Sequence, residues 1–344
     1  MSSQRKYKYI LGIESSCDDT SAAILRNDVM LSNITAGQEI HRQYGGVVPE
    51  LASRAHQQHI IPVVEAAIQA AGIGKNEIDA VAFTRGPGLL GSLLVGTSFA
   101  KSFAMGLGVP IIEVNHMIGH ILAHFIQEEG KEKEVPTFPF LCMTVSGGHT
   151  QLVLVKGFLE MEVIGETMDD AAGEAFDKAA KVLGLPYPGG PLIDKHAKNG
   201  DAGRFEFTFP KTEGYTYSFS GLKTQFMNFI NKEKQQNPSF VEENLADICA
   251  SYQKHIIDYL FMKLETLAAE MGIQDVAISG GVSANSELRS RLQQVGEKKG
   301  WNTFIPAFQY CTDNAAMIAI TGYYKYLNGD FATMDIAPKA RFKI

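Results

Sequence analysis

The sequence predicts an α/β protein whose two halves open in the same way. Three observations carry this. Short apolar runs alternate with stretches of helical periodicity at 50–71, 91–106, 169–184, 240–271 and 312–327. A strand, turn, strand unit opens the chain, as YKYILGIE, SSCDD and TSAAIL over 7–25. The same unit returns at 138–155 as FPFLCMTV, SGGHT and QLVLV.

At 344 residues the chain exceeds the size at which one hydrophobic core usually stops growing, so two closely packed lobes are expected. The charged run EEGKEKEVP near 130 marks the boundary, which predicts a lobe over 1–130 and a second over 131–344. A Gly-, Thr- and aromatic-rich stretch at 196–240 breaks the alternation and reads as an insertion in the second lobe. At 275–292 an apolar DVAI meets SGGVSAN and then SELRSRLQQV, which is a strand, a turn and a helix.

Composition narrows the function classes. The four cysteines Cys17, Cys142, Cys249 and Cys311 are far apart and form no C-x-x-C pair, which points away from a disulfide framework or structural zinc and toward a reducing compartment. The basic RKYK start is followed by too short an apolar run for a signal peptide, so a cytoplasmic protein is expected. The apolar tract at 88–112 carries Lys101 and several glycines, and reads as a buried helix and strand with no membrane anchor. A net charge of −7 argues mildly against a nucleic-acid substrate, because a chain that binds nucleic acid alone usually presents a basic face.

The run NHMIGHILAHF places His116, His120 and His124 four residues apart, on one face if the segment is helical. Axial rise separates the outer two by roughly 12 Å, so only a neighbouring pair can share a metal ion. The zinc-protease pattern needs a glutamate after the first histidine, where this chain has Met117. A carboxylate from elsewhere is then required, and Asp313 in CTDNAAMIA is one of several candidates.

Glycine turns at 146–148, 189–190 and 279–281 would let backbone N–H groups approach an anion. None matches a P-loop or a dinucleotide-binding fingerprint. The glycines of RGPGLLGSLLVG, from Arg85 to Gly96, fit close helix packing. Carboxylates gather at Asp18 with Asp19, and at Asp169, Asp170, Glu174 and Asp177. Helix capping accounts for the first two of the second group. It does not account for Asp177, which suits a ribose hydroxyl or a cation.

Taken together, GIESSCDDTSAAI, YGGVVPELASR, GPGLLGSLLVG, NHMIGH, VSGGHTQL, DDAAGEAFDK, YPGGP, SFSGLKT, SGGVSAN and CTDNAAMIA stand in the order and spacing of one family. On these motifs the chain resembles the tRNA adenosine threonylcarbamoyltransferases over nearly its whole length. The resemblance implies an actin, Hsp70 and sugar-kinase-like (ASKHA) fold, with duplicated βββαβα-type lobes around a central cleft. It also implies a reaction: a threonylcarbamoyl group passes from its adenylate to the N6 amine of the adenosine 3′ of the anticodon in tRNAs reading ANN codons, and AMP is released.

By motif the resemblance makes His116, His120 and Asp313 the ligands of one divalent metal, iron or zinc, with His124 outside the shell. It puts the adenylate on Thr144, Val145, Ser146, Gly147, Gly148, Asp177, Gly190, Asp194 and Asn285. Asp18 is its candidate for tuning the transfer, with Asp19 beside it. The implied partners are tRNA, threonylcarbamoyl-adenylate, a TsaB-like paralogue and a TsaE-like ATPase, the proteins supplying positive surface that an acidic chain lacks. The chain departs from the family at Asp19, where glutamate is frequent, at Ala55, where aspartate would neighbour His56, and at Ala315, where glycine is frequent. Two other readings fit the same pocket residues, a small-molecule kinase or ATPase of the same fold and a non-enzymatic nucleotide-gated scaffold. The histidine pair weighs against the first, since magnesium prefers oxygen ligands.

Overall fold

Continuous apolar runs, buried on both faces, open the first sheet. In the computed structural model, which describes residues 7–344 with the side chains of Glu39, Ile40 and Arg42 excepted, β1 (Tyr9–Glu14) pairs antiparallel with β2 (Thr20–Arg26), and β2 with β3 (Val29–Ala36). The first two residues of the RKYK run lie outside the described residues. Helix α1 (Pro49–Ala70) leads to β4 (Ala80–Gly86), α2 (Leu90–Leu107), β5 (Ile111–Asn115), α3 (His116–Leu122) and the short β6 (Gln127–Glu128). The strand order is β5-β4-β1-β2-β3-β6, with β4 parallel to both β1 and β5.

The second sheet repeats this plan. Strands β7 (Phe140–Val145), β8 (Thr150–Gly157) and β9 (Glu160–Glu166) open it, and helices α4 (Ala172–Val182), α5 (Gly190–Ala197), α6 (Ser220–Gln236) and α7 (Phe240–Met271) follow. Then come β10 (Asp275–Ser279), α8 (Ser286–Lys299) and β11 (Asn302–Phe304), and the chain closes with α9 (Ala315–Leu327). The order β11-β10-β7-β8-β9 matches β5-β4-β1-β2-β3 strand for strand, with the same parallel and antiparallel neighbours where registers are defined. The expected α/β class and the duplication are both present.

Two compact units result, and one cut near residue 130 does not separate them. The first holds the residues up to Val135 together with Phe158–Glu160 and Pro306–Ile344, and the second holds Pro136–Gly157 and Met161–Ile305. The final segment belongs to the first unit because α9 covers a face of its sheet. Gly12 makes this possible, since a Cβ there would stand 2.4 Å from the Ala315 carbonyl oxygen. On the other face Leu11, Ile13, Ala22 and Ile24 bury against Ile60, Val64 and Ala67 of α1 and Ala100 and Ala104 of α2. Helix α2 is long and apolar enough to cross a membrane by length and composition, yet one face of it closes this core.

In the second unit Leu141, Met143, Leu152, Val276 and Ile278 share a core with Phe176, Phe226, Tyr252, Leu260 and Leu288. The stretch at 196–240 is more than an appended loop. Its Tyr217, Phe219, Leu222, Phe226 and Ile230 are buried in that core, and its latter part is α6.

Candidate metal centre and glycine cradle

Two asparagine caps build the candidate metal centre. Asn115 accepts from the backbone N–H of Met117 at 2.9 Å, which starts α3 at His116 and sets His120 one turn on. Asn314 accepts from Met317 N at 3.0 Å and starts α9, leaving Asp313 just ahead of that helix. Gly119 lets the two helices approach, since a Cβ there would lie 3.2 Å from Ile318 Cδ1 and 3.3 Å from the Met317 carbonyl oxygen. Helix α3 ends at Leu122, so His124 falls in a following 3-10 turn, off the face that carries the other two histidines.

The arrangement brings three donors to one point. Asp313 Oδ1 is 3.3 Å from His116 Nε2 and 3.3 Å from His120 Nε2. Those separations are close to the ~3.4 Å edge of a tetrahedron with ligand bonds of ~2.0–2.1 Å. His120 is 1% exposed, and neither of its ring nitrogens has a hydrogen-bond partner among the described residues. A buried ring nitrogen with no well-aligned hydrogen bond is costly, and a cation shared with Asp313 would satisfy Nε2. His116, His120 and Asp313 thus fit a metal ion.

Behind His116 stands a carboxylate that the motif reading missed. Its Nδ1 is 3.0 Å from Glu14 Oε2 and 3.2 Å from Ser16 Oγ, and Thr84 Oγ1 donates to the same Glu14 oxygen at 2.6 Å. Glu14 is fully buried. A carboxylate on the rear nitrogen fixes which ring nitrogen faces the ion and makes it a better donor. The sequence signal was there: an acidic residue closing an otherwise apolar strand, YILGIE.

Charge in the cluster is set by these neighbours. Burial lowers the His116 pKa, but Asp313 and Glu14 outweigh it and carry it well above the ordinary histidine value. Burial raises the Asp313 and Glu14 carboxyls, and His116 more than reverses this, holding both below the usual range. Burial, with His116 adding to it, keeps His120 below its ordinary value and therefore neutral, the state that ligates a metal. Asp19 is pushed up to about 7 by burial, then by Asp18, Asp313 and Glu14.

The turn after β1 is held from several sides. Leu89 N donates to the Ser16 carbonyl at 2.7 Å, and Ser92 Oγ donates to the Cys17 carbonyl at 3.0 Å. A Cβ on Gly88 would stand 2.4 Å from Ser16 O, and one on Gly96 2.2 Å from Ser15 Oγ. The glycines of RGPGLLGSLLVG are therefore packing residues. His56, which follows Ala55, is fully buried between Thr20 Oγ1 at 2.7 Å and Cys17 O at 3.0 Å. A carbonyl only accepts, so Nε2 carries the proton and Nδ1 accepts from the threonine.

The second unit holds a cavity of about 300 Å³ lined by Gly147, Gly173, Asp177, Gly190, Asp194 and Asn285 among others. Asp177 Oδ1 accepts from Gly189 N at 2.8 Å and Gly190 N at 3.1 Å, which fixes the YPGGP turn at its rim. Burial raises the Asp177 carboxyl more than those two N–H groups lower it. Asp194 accepts from the hydroxyl and N–H of Ser286, and Asn285 caps α8 at Leu288 N while donating to Gln253. A Cβ on Gly147 or Gly148 would meet nothing within 4 Å, so this turn is bare by composition and open to a ligand. Gly147 lines the cavity, Ser146 closes the turn with His149, and Thr144 and Val145 are buried in β7 outside the lining.

Comparison with known proteins assigns the chain. The profile of the family described as tRNA N6-adenosine threonylcarbamoyltransferase matches residues 29–320. The chain belongs to this family. Family members of that name from Christiangramia forsetii and Porphyromonas gingivalis are 61% identical over 334 residues and 59% identical over 335, each match covering 97% of this chain and 98% of the relative. One from Desulfotalea psychrophila is 50% identical over 331 residues, 95% of each chain. Among solved structures, full-length HypF in its phosphate- and nucleotide-bound form overlays with a TM-score of 0.63 at 14% identity, over 94% of this chain and 47% of that one, a likeness of fold. The protein is accordingly an acyl-type transferase that modifies the N6 amine of a tRNA adenosine, and the fold is the expected actin and sugar-kinase-like one.

Proposed function

We propose that the protein moves the threonylcarbamoyl group from threonylcarbamoyl-adenylate to N6 of the adenosine 3′ of the anticodon in tRNAs reading ANN codons, with one iron or zinc ion held by His116, His120 and Asp313. The single observation that carries this is Asp313 Oδ1 at 3.3 Å from both imidazole Nε2 atoms, in a chain of this family. In the reaction the adenosine amine bonds to the carbamoyl carbon. The C–O bond to the adenylate phosphate breaks, AMP leaves with that electron pair, and the amine gives up a proton. When bound, the ion supplies Lewis acidity for negative charge developing on the carbonyl oxygen.

The protein's residues do the rest. Glu14 and Ser16 orient His116, and His56 with Ser92 holds the turn that carries Asp18, our candidate for tuning the transfer. Backbone N–H groups of the 146–148 turn suit the adenylate phosphate, with Thr144 and Val145 leading into the turn. Asp177, Gly190, Asp194 and Asn285 shape the pocket for ribose and base. AMP is a good leaving group, so no strong base is required.

Protein partners fit the surface. Leu90, Leu94 and Met105 of α2 and Ile61 of α1 are exposed apolar residues, suited to a TsaB-like paralogue, with a TsaE-like ATPase as a further partner. A cytoplasmic site, where tRNA is, completes the reading. The test is to incubate the protein and those partners with threonine, bicarbonate, ATP and unmodified tRNA, and to analyse nucleosides by mass. Threonylcarbamoyladenosine is the expected product. ADP without a modified nucleoside would replace this reading with an ATPase or scaffold.

A further inference from the structure

The chain ends in a strap that has no regular structure yet is anchored along its length. Over 336–344, IAPKARFKI, the sequence has three basic residues and no acidic one, in a chain of net charge −7. The anchors are backbone atoms. Lys101 Nζ donates to the Ile336 carbonyl, and Arg85 Nε donates to the Ala337 carbonyl at 3.0 Å. Lys339 N donates to Arg85 O at 2.8 Å, and Gly88 N donates to Ala340 O at 3.2 Å. Asn115 Nδ2 donates to the Phe342 and Lys343 carbonyls at 3.0 and 3.1 Å, while Arg85 lies over the Phe342 ring.

Backbone anchoring leaves the three cationic residues exposed. Lys339 carries its ammonium over the half-buried Phe342 ring, and Arg341 and Lys343 flank that ring in sequence. The strap also has a definite address. Asn115 is the residue that caps α3 at His116, so the Phe342 and Lys343 carbonyls are one side chain away from the start of the helix that carries two of the three proposed ligands. Gly86 and Gly88, where the strap crosses, are bare for its sake and for the first turn's: a Cβ on Gly86 would overlap the Lys339 carbonyl oxygen. A rigid, cationic segment fixed beside a metal centre suits a polyanion that must be placed with respect to that centre.

We propose that Lys339, Arg341 and Lys343 contact the phosphate backbone of the tRNA substrate and seat it at the α3 end of the first unit. This rests on the transferase reading and deepens it, because it gives an acidic chain its own RNA contact beside the metal. Phosphate contacts position a nucleic acid without reading its sequence, and each one releases condensed counterions.

The test uses the full chain and a K339Q/R341Q/K343Q variant, which keeps every backbone anchor. Binding of an unmodified tRNA transcript is followed across a salt series, with thermal melting as the control. The expected result is an affinity at least about tenfold weaker, and a plot of log affinity against log salt that is shallower by about 2, at an unchanged melting temperature. Equal binding by both proteins, or by neither, overturns the proposal and gives the strap to an acidic protein surface or to structure alone. The nucleoside assay is read separately, so modified adenosine formed by a chain whose strap variant binds tRNA normally sinks this inference and leaves the transferase reading standing.

Discussion

The turn after β1 and the turn after β7 hold equivalent places in two sheets of one strand order, yet they are made of different things. The first, SSCDD, is crowded with side chains, backed by the buried Glu14 and gripped by Gly88, Ser92 and His56. The second, SGGHT, presents bare backbone with open space where two side chains would be. Carboxylate and hydroxyl groups organise a histidine for a cation, and unshielded N–H groups suit an anion. A duplicated scaffold thus fixes the location of a turn, while its composition chooses the sign of the charge it serves.

Substitutions can break this contrast. The largest effect is expected from H116A or H120A. Bound metal should fall from about one ion per chain to background and transfer by about a thousandfold or more, read by elemental analysis and nucleoside mass. The same analyses on a cradle variant should find the metal retained.

The glycines sharpen the contrast further. G88A forces a Cβ against the Ser16 carbonyl and should cost about 2–4 kcal/mol in chemical denaturation. G147A meets no neighbour, so it should change stability by less than about 0.5 kcal/mol while weakening adenylate binding, seen as a raised KM for the donor. Equal stability losses at the two positions would mean that both turns are merely structural.

The smallest effect concerns pH. Burial raises the Asp169 carboxyl, but the Ser218 hydroxyl and the N–H groups of Phe219 and Ser220 more than offset it and hold it low. A depressed folded-state value means the stabilisation is complete above the ordinary carboxylate range and is lost as pH falls below about 4. D169N should therefore be less stable than the parent at pH 7, and the gap should start to narrow as pH falls below about 4 and close only beneath the depressed folded-state value, as followed by denaturant midpoints.

Much of the fold could be read from the sequence pattern, because both sheets begin with short apolar runs and a polar turn, and the helices between them keep their own period. The helix at 240–271 was legible to the residue. What periodicity could not see was closure at a distance. Nothing in CTDNAAMIA says that α9 returns to β1, which depends on the missing side chain of Gly12 meeting Ala315. The three donors that the structure brings together were legible as a spaced histidine pair plus an unranked carboxylate, and the resemblance picked out Asp313. His124 kept the spacing but lost the face, since α3 stops at Leu122. Glu14 escaped because its partner is a hundred positions away, as the His116 contact records.

The return of the last segment also orders events on the ribosome. His116 and His120 are made well before the carboxylate that joins them and the helix that covers β1. A nascent or prematurely stopped chain therefore presents an uncovered sheet face and two unjoined imidazoles, and it can neither bury that face nor grip an ion. An ion gripped by all three side chains therefore has to await the synthesis of Asp313, long after both histidines.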